Sequence, residues 1–333
     1  MQSIFNEAID GDARTMPALS RIRAELEIAE TDAISTRDLA QRIRGRHLIR
    51  HPRHDALVIQ RELNMSHRGN AAALFQAVAI CILCAFVRTG YTADPYGGKV
   101  AVITESSSGL GQELARIAAQ KQMKLVLADI NLPPSRAFAD SVNARGGEAI
   151  AIQVDLSKPE QRATVIDSAV KRFGRVDYLF NNAGYAYLAT LEQMSLADAH
   201  RLFEVNYWAY VDLAQRVIPL MKQQRGGTIV NVASILGHTS APAGLGHYAA
   251  TKHALVGLFE AAADELKAAG IKVFIASPGG MRTNIMKNAV GPLAESWRNQ
   301  GASWESPAIP AQDIFKMIQG DEVIFYPGSR ATR

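Results

Sequence analysis

The chain has 333 residues, of which 48% are apolar and 20% charged, with a formal net charge of +4 at pH 7. That size suits one large domain plus an extension, and that composition excludes a disordered or fibrous chain. So small a charge gives no basis for a nucleic-acid partner. The two cysteines, Cys81 and Cys84, exclude a disulfide framework and point to a reducing compartment.

The first 14 residues, MQSIFNEAIDGDAR, carry acids where a secretory signal would be basic, so a cytoplasmic location is expected. Residues 1–98 hold twelve arginines and no lysine, whereas residues 99–333 hold thirteen arginines and eleven lysines. No rule of folding requires that shift. It marks two segments of separate origin: a helical extension over 1–98 and a second unit over 99–333. They meet at the turn-rich stretch Asp94-Pro95-Tyr96-Gly97-Gly98. Leu19, Ile22, Leu26 and Ile28 recur at roughly helical spacing. The basic stretch Arg42 to His54 is flanked by Asp38 and Asp55, which favours a solvated helix face over a contact for acidic lipid or nucleic acid.

Ala71 to Val87 is a run of seventeen residues in which only Gln76 is clearly polar. It stands at the short limit of a membrane-spanning helix, about 17–25 residues. Two readings stay open, membrane association through 71–87 or a packed or dimer-forming helix, and the more basic amino-terminal flank argues against a simple span. The CxxC of Cys81 and Cys84 lacks further Cys or His partners for zinc. No metal is expected.

From Lys99 the pattern alternates. Strand Val100–Ile103 precedes a Ser/Gly turn and a helix from Leu110 to about Gln122. Strand Leu125–Leu127 ends at Asp129, then come a helix over about 136–143, a strand over 149–154 and a helix over about 160–173. Strand Tyr178–Phe180, one long helix over about 197–222 and strand Thr228–Val232 continue the alternation. Val323 to Gly328 reads as a last edge strand. Near-continuous apolar strands separated by helices predict an α/β, doubly wound, Rossmann-like parallel sheet covered on both faces. Ligands then bind beyond the carboxyl ends of the strands, where strand order reverses.

The motifs lie at those ends. After the first strand comes Thr104-Glu105-Ser106-Ser107-Ser108-Gly109-Leu110-Gly111. A glycine-rich turn into a helix offers backbone N–H groups and a partial positive charge to a pyrophosphate. Asp129 follows Gly111 by eighteen residues, about where a ribose-binding carboxylate belongs. A carboxylate there repels a 2′-phosphate, so NAD is expected in preference to NADP.

The run Thr104–Gly111 resembles the TGxxxGxG loop of the short-chain dehydrogenase/reductase family. Asn181-Asn182-Ala183-Gly184 is similar to its NNAG segment, and Tyr248-Ala-Ala-Thr-Lys252 to its YxxxK. The resemblance covers about residues 99–333, in the family's order and spacing. It implies cofactor contacts from Thr104, Ser106, Ser108, Gly109, Leu110 and Gly111, and from Asn182, Ala183 and Gly184. It further implies adenine recognition by Asp155 with Leu156, support of the sheet near the ribose by Asn181, and a nicotinamide flanked by Pro278, Gly279 and Thr283. One position departs from the pattern. The family's first loop glycine is Glu105 here. A side chain there adds bulk and negative charge beside an anionic ligand, so either it turns outward or cofactor affinity falls.

Lys252 lies four residues after Tyr248, so on a helix both project from one face. Tyrosine titrates near pH 10, too high for an efficient base at neutrality, and a nearby cation is expected to lower that value. Ser234 ends a strand, where its hydroxyl can hold a substrate oxygen; the resemblance assigns it that role. By the same resemblance Asn206 bends a helix and holds a relay water behind the lysine, and Lys252 also binds the nicotinamide ribose. His238 and His247 flank the site without a role that the Tyr/Lys pair leaves open.

The expected activity is interconversion of a secondary alcohol and a carbonyl on a small-molecule alcohol or ketone. Ile285, Met286, Val290, Pro292, Leu293 and Trp297 would form a partly apolar lid. The carboxyl end looks like that of the family branch acting on lipids, steroids or retinoid-like alcohols. The resemblance also implies a homodimer or homotetramer formed through two long helices. The rival reading, motivated by Glu105, is a dinucleotide-binding sensor or scaffold with impaired turnover.

Overall fold

The computed structural model describes residues 95–301 and 303–328. Residues 1–94 of the extension, with the apolar run 71–87, the basic stretch and both cysteines, lie outside the described residues. Among the described residues, no helix is long and apolar enough to cross a membrane.

Seven strands form one parallel sheet: β1 (Val100–Thr104), β2 (Lys124–Asp129), β3 (Ala149–Gln153), β4 (Tyr178–Asn181), β5 (Gly227–Val232), β6 (Ile271–Ala276) and β7 (Ile324–Phe325). Their order is β3-β2-β1-β4-β5-β6-β7, with Val102 paired to Val126 on one side and to Leu179 on the other. All five residues of β1 are buried, as expected of a central strand covered on both faces. The edge strand β7 is only two residues long, shorter than the run of apolar residues suggests.

Helices α1 (Gly109–Gln120), α2 (Leu132–Ala144) and α7 (Ala308–Met317) share one apolar cluster with Ile103, Leu125 and Phe274. On the opposite face, α3 (Pro159–Phe173), α5 (Ala209–Gln223) and α6 (Gly246–Lys267) pack with Val102, Leu179 and Ile229. The chain runs outward from β1 to β3, then crosses back to β4. That reversal opens a crevice at the carboxyl ends of β1 and β4.

Two departures from the sequence expectation have clear causes. Helix α2 starts at Leu132, earlier than its apolar spacing indicates, because Pro133 and Pro134 fall in its first turn, where no N–H partner is needed. The long helix expected over 197–222 is three pieces. Helix α4 (Leu196–Phe203) leads into a π-helical turn at Glu204–Trp208, and α5 follows. Buried Arg162 clamps this turn: its Nε donates to the Leu156 carbonyl at 2.9 Å and its Nη2 to the Glu204 carbonyl at 3.1 Å. The widened turn carries Asn206, which is fully buried; π-turns of this kind concentrate at functional sites.

Tyr96, placed by its turn-rich neighbours in a joint, belongs to the core. Its ring lies 5.5 Å from Tyr178 and 5.4 Å from Phe315, and its hydroxyl donates to the Phe315 carbonyl at 2.7 Å. The packed domain therefore includes residues before Lys99. Replacing Tyr96 with Phe keeps the ring and removes one buried hydrogen bond; urea denaturation should show a loss of about 1 kcal/mol.

Candidate active site

One hydroxyl joins the two strand ends that frame the crevice. Thr104 Oγ1, at the end of β1, accepts from the backbone N–H groups of Asn182 and Ala183 at 2.9 and 3.0 Å and donates to the Phe180 carbonyl at 3.3 Å. The Asn182 side-chain amide returns a bond to the Thr104 carbonyl at 3.0 Å. A buried amide left unpaired is costly, so these bonds fix the glycine-rich loop against the segment Asn182–Gly184.

The loop is shaped by its own backbone and by Asp129. A Cβ on Gly111 would stand 2.0 Å from the Glu105 carbonyl, so only glycine fits this approach of helix to loop. Asp129 ends β2 with one carboxylate oxygen accepting from the Ser107 N–H at 2.8 Å and the other from Asn131 N–H at 2.7 Å. Each oxygen retains a further lone pair, so the carboxylate can hold the loop and still accept from a ribose. Ser106 turns away from the crevice, meeting Ser135 Oγ at 3.0 Å. Ser108 is the extended residue at the start of α1, whose first N–H groups have no helical partner.

Glu105 turns inward. Its backbone has φ 53°, a left-handed conformation that disfavours a side chain by about 1–2 kcal/mol. Its Oε2 accepts from the Gly184 N–H at 2.9 Å. Burial pushes this carboxyl up to about 7 against the opposing bond from Gly184; the Asp129 carboxylate raises it further and the Lys252 cation lowers it. The outward rotation is thus not the one adopted.

Helix α6 carries Tyr248 and Lys252 on one face, both buried. Lys252 Nζ donates to the Val232 carbonyl at 2.9 Å and lies 5.8 Å from the centre of the Tyr248 ring. A Cβ on Gly184 would be 3.6 Å from that Nζ and 3.3 Å from Asn206 Oδ1, so Gly184 is the common neighbour of lysine, asparagine and Glu105. Asn206 Oδ1 accepts from the Tyr185 N–H at 3.1 Å, and its amide donates to the Tyr185 carbonyl at 3.0 Å and to Thr251 Oγ1 at 3.3 Å. Ser234, just beyond β5, accepts from the Leu236 N–H at 3.2 Å and lines the same cavity as Tyr248.

The expected acidic phenol is not what this arrangement produces. Burial pushes Tyr248 up to about 12, the nearby Ser234 hydroxyl pulls the other way, and the Glu105 carboxylate adds to the rise. Burial also lowers Lys252 to about 8, opposed by Glu105. The ammonium is held on the Val232 carbonyl, 5.8 Å from the centre of the ring, and desolvation is the largest influence on the phenol.

These groups open on a cavity of about 260 Å³. Glu105, Gly109, Leu110, Asn182, Gly184, Ser234, Tyr248, Lys252, Pro278, Gly279 and Thr283 line it. The rest of the wall is largely apolar, including Ala186, Leu236, Leu245, Ile285, Met286, Trp297 and Trp304. Among the described residues, no group of three or more His, Cys, Asp or Glu is placed to hold a metal ion.

A family profile described as short chain dehydrogenase matches residues 99–292. The chain belongs to the short-chain dehydrogenase/reductase family. It is 33% identical over 226 residues to the mouse (Mus musculus) dehydrogenase/reductase SDR family member 7B, covering 66% of this chain and 70% of that protein. With the cyclohexanol dehydrogenase of Acinetobacter it shares 33% identity over 194 residues, 58% of this chain and 77% of the other. A short-chain dehydrogenase/reductase from Burkholderia phymatum in complex with NAD matches with TM-score 0.65 at 30% identity, over 69% of this chain and 89% of that one. A Sphingobium yanoikuyae short-chain dehydrogenase in complex with NADPH matches with TM-score 0.62 at 26% identity, over 68% of this chain and 87% of that one. The chain is an oxidoreductase of a family with solved members in complex with NAD or NADPH. Both curated relatives are named as dehydrogenases, which does not favour the rival reading of a binder without turnover.

Within this short-chain dehydrogenase/reductase, several residues named by the resemblance do not line this cavity. The Asn181 side chain is fully buried, donating to Asn231 Oδ1 at 3.0 Å inside the sheet. Leu156 belongs to the apolar core. Asp155 Oδ1 accepts from Ser157 N–H at 3.0 Å and from its hydroxyl at 2.7 Å. His238 Nε2 contacts Ser277 Oγ at 2.8 Å, and His247 packs beside Tyr187 and Phe203; neither lines the cavity. Of the expected lid, Ile285, Met286 and Trp297 reach the wall, while Val290 is 44% exposed. Trp304 was not legible: its place depends on Gly280, where a Cβ would come within 2.8 Å of its ring.

The inward carboxyl has a consequence for folding. Its native value near 7 lies above the ordinary 4.5, so the native state binds the extra proton and stability falls as pH rises between those values. Glu105→Gln should therefore melt like wild type in acid and above it from about pH 7 upward, as differential scanning calorimetry across pH would show.

Proposed function

We propose that the protein interconverts a secondary alcohol and a carbonyl on a hydrophobic small molecule, using NAD in preference to NADP. The observation that carries this reading is the meeting of Ser234, Tyr248 and Lys252 on a cavity whose remaining wall is mostly apolar. The donor set suits a dinucleotide: the free N–H groups at the start of α1 for the pyrophosphate, the Asp129 carboxylate for a ribose diol, and Lys252 for the second ribose. The nicotinamide supplies the hydride acceptor or donor.

The residues act as follows in alcohol oxidation. Ser234 Oγ and the Tyr248 phenol hydrogen-bond the substrate hydroxyl and hold its carbon toward the nicotinamide side, near Pro278, Gly279 and Thr283. Tyr248, ionised, accepts the hydroxyl proton as the C–H bond breaks. Lys252 steadies the negative phenol, and Asn206 shapes the turn behind it. In the reverse direction the neutral phenol donates its proton to the carbonyl oxygen. The apolar wall excludes water from the reacting atoms. The homologous cyclohexanol dehydrogenase supports an alicyclic or similarly apolar alcohol as the class to try first.

We further propose that the part of 1–98 preceding Asp94 is an appended segment tethering or pairing the enzyme, and that copies associate through α5 and α6. The exposed Leu258 on α6 and Trp208 beside α5 support that pairing. Fractionation of cells carrying the full chain or a form beginning at Asp94 tests the tether; equal solubility of the two would remove it.

NADH formation with a panel of apolar alcohols should show turnover, and Tyr248→Phe should lower kcat/KM by about 10²–10⁴-fold. Because burial holds the phenol near 12, alcohol oxidation should quicken as pH rises through neutrality. Full activity in the phenylalanine variant, or a flat oxidation profile, would remove Tyr248 from the chemistry. Parallel titrations with NAD and NADP should show tighter binding of NAD, and Asp129→Ser should narrow the difference.

A further inference from the structure

Glu105 lines the same cavity as the start of α1, the helix end to which an anionic ligand is drawn. Its left-handed backbone sends the side chain toward the crevice, and the bond from Gly184 N–H holds the carboxyl there. Turning it outward would break that bond. The same cavity wall includes Gly109 and Leu110 at the start of α1, so a pyrophosphate drawn to the helix end meets the carboxyl.

We propose that Glu105 makes dinucleotide binding proton-coupled: the cofactor is held with this carboxyl neutral, and an ionised Glu105 takes up one proton from solvent as the cofactor enters. This rests on the dinucleotide reading above. The proton adds to a carboxylate oxygen; no other bond changes. The groups facing Glu105 leave few other ways to relieve the charge. Asp129 at the end of β2 is a second anion, Tyr210 on α5 and Tyr248 on α6 are neutral phenols, and Lys252 on α6 is the one cation among the described groups that act on it. The β4 side contributes the Gly184 N–H. A pyrophosphate adds negative charge to a group already beside an anion, and protonation removes the conflict without moving the backbone.

The carboxyl's own value near 7 places this uptake in the neutral range. The step also bears on catalysis, because the Glu105 carboxylate is one of the groups holding Tyr248 up. Neutralising it on loading makes the phenol a readier acid at the moment the cofactor is in place. Glu105 is thus a positioning residue that conditions the tyrosine through charge.

The test uses NADH with wild type, Glu105→Gln and Glu105→Gly, following binding rather than turnover. Calorimetric titration in two buffers of different ionisation heat counts the protons taken up. At about pH 8, wild type should take up close to one proton per NADH more than either variant, and its affinity should fall relative to theirs by up to about tenfold per pH unit above 7. Difference infrared spectra should show a neutral carboxylic acid C=O band growing as NADH binds wild type and absent from both variants. The glycine variant suits the left-handed backbone and keeps the test intact if the glutamine variant does not fold. Equal proton uptake in wild type and variants, or no such band, overturns the inference while leaving the dinucleotide site standing. Failure of all three proteins to bind NADH overturns both.

Discussion

The hydroxyl of Thr104 is the point on which the site depends. By taking two backbone N–H groups from the end of β4 while belonging to the end of β1, it welds the two strands at the place where the sheet reverses direction. The loop that follows β1 is therefore held against the segment that follows β4. Glu105 meets Gly184, Gly184 meets Lys252 and Asn206, and the helix end is aimed into the same crevice. A pocket assembled from residues more than a hundred positions apart needs such fixed points, because each of its polar groups is functional only within hydrogen-bond reach of the next.

The second constraint is electrostatic. Tyr248, Lys252, Glu105 and Tyr210 are all buried in one neighbourhood, and burial shifts each of them toward its neutral form. Neither partner of the Tyr/Lys pair can then be considered alone. The lysine's charge is supported by Glu105, whereas the tyrosine's ionisation is opposed by it. Before a cofactor arrives, the site rests closer to neutrality than a list of its residues implies.

Much of this was legible in the sequence. The β-branched runs, the glycine-rich turn and the spacing of Tyr248 and Lys252 follow local rules, and local rules survive folding. What was not legible depends on contacts between distant segments. The direction of Glu105 is decided by the N–H of Gly184, 79 residues away. The break at Asn206 is decided by Arg162, whose contacts span 42 positions. The depressed acidity of the phenol follows from desolvation, which no spacing reveals. Asn181, Leu156 and Ser106 sit in or beside recognisable motifs yet face the core, because a motif preserves the frame of a site as well as its surface.

Trp304 closes the cavity against two residues that have no side chains. Its indole lies where a Cβ on Gly280 or Gly301 would come within 2.8 or 2.9 Å. A ring backed directly by main chain has little room to swing when a bulky guest enters. The pliant part of that chamber is instead the thioethers of Met281 and Met286, unbranched chains that adapt their shape at small cost. Adaptation to differently shaped guests would then fall to the two methionines, with the tryptophan as the stiffer part of the wall.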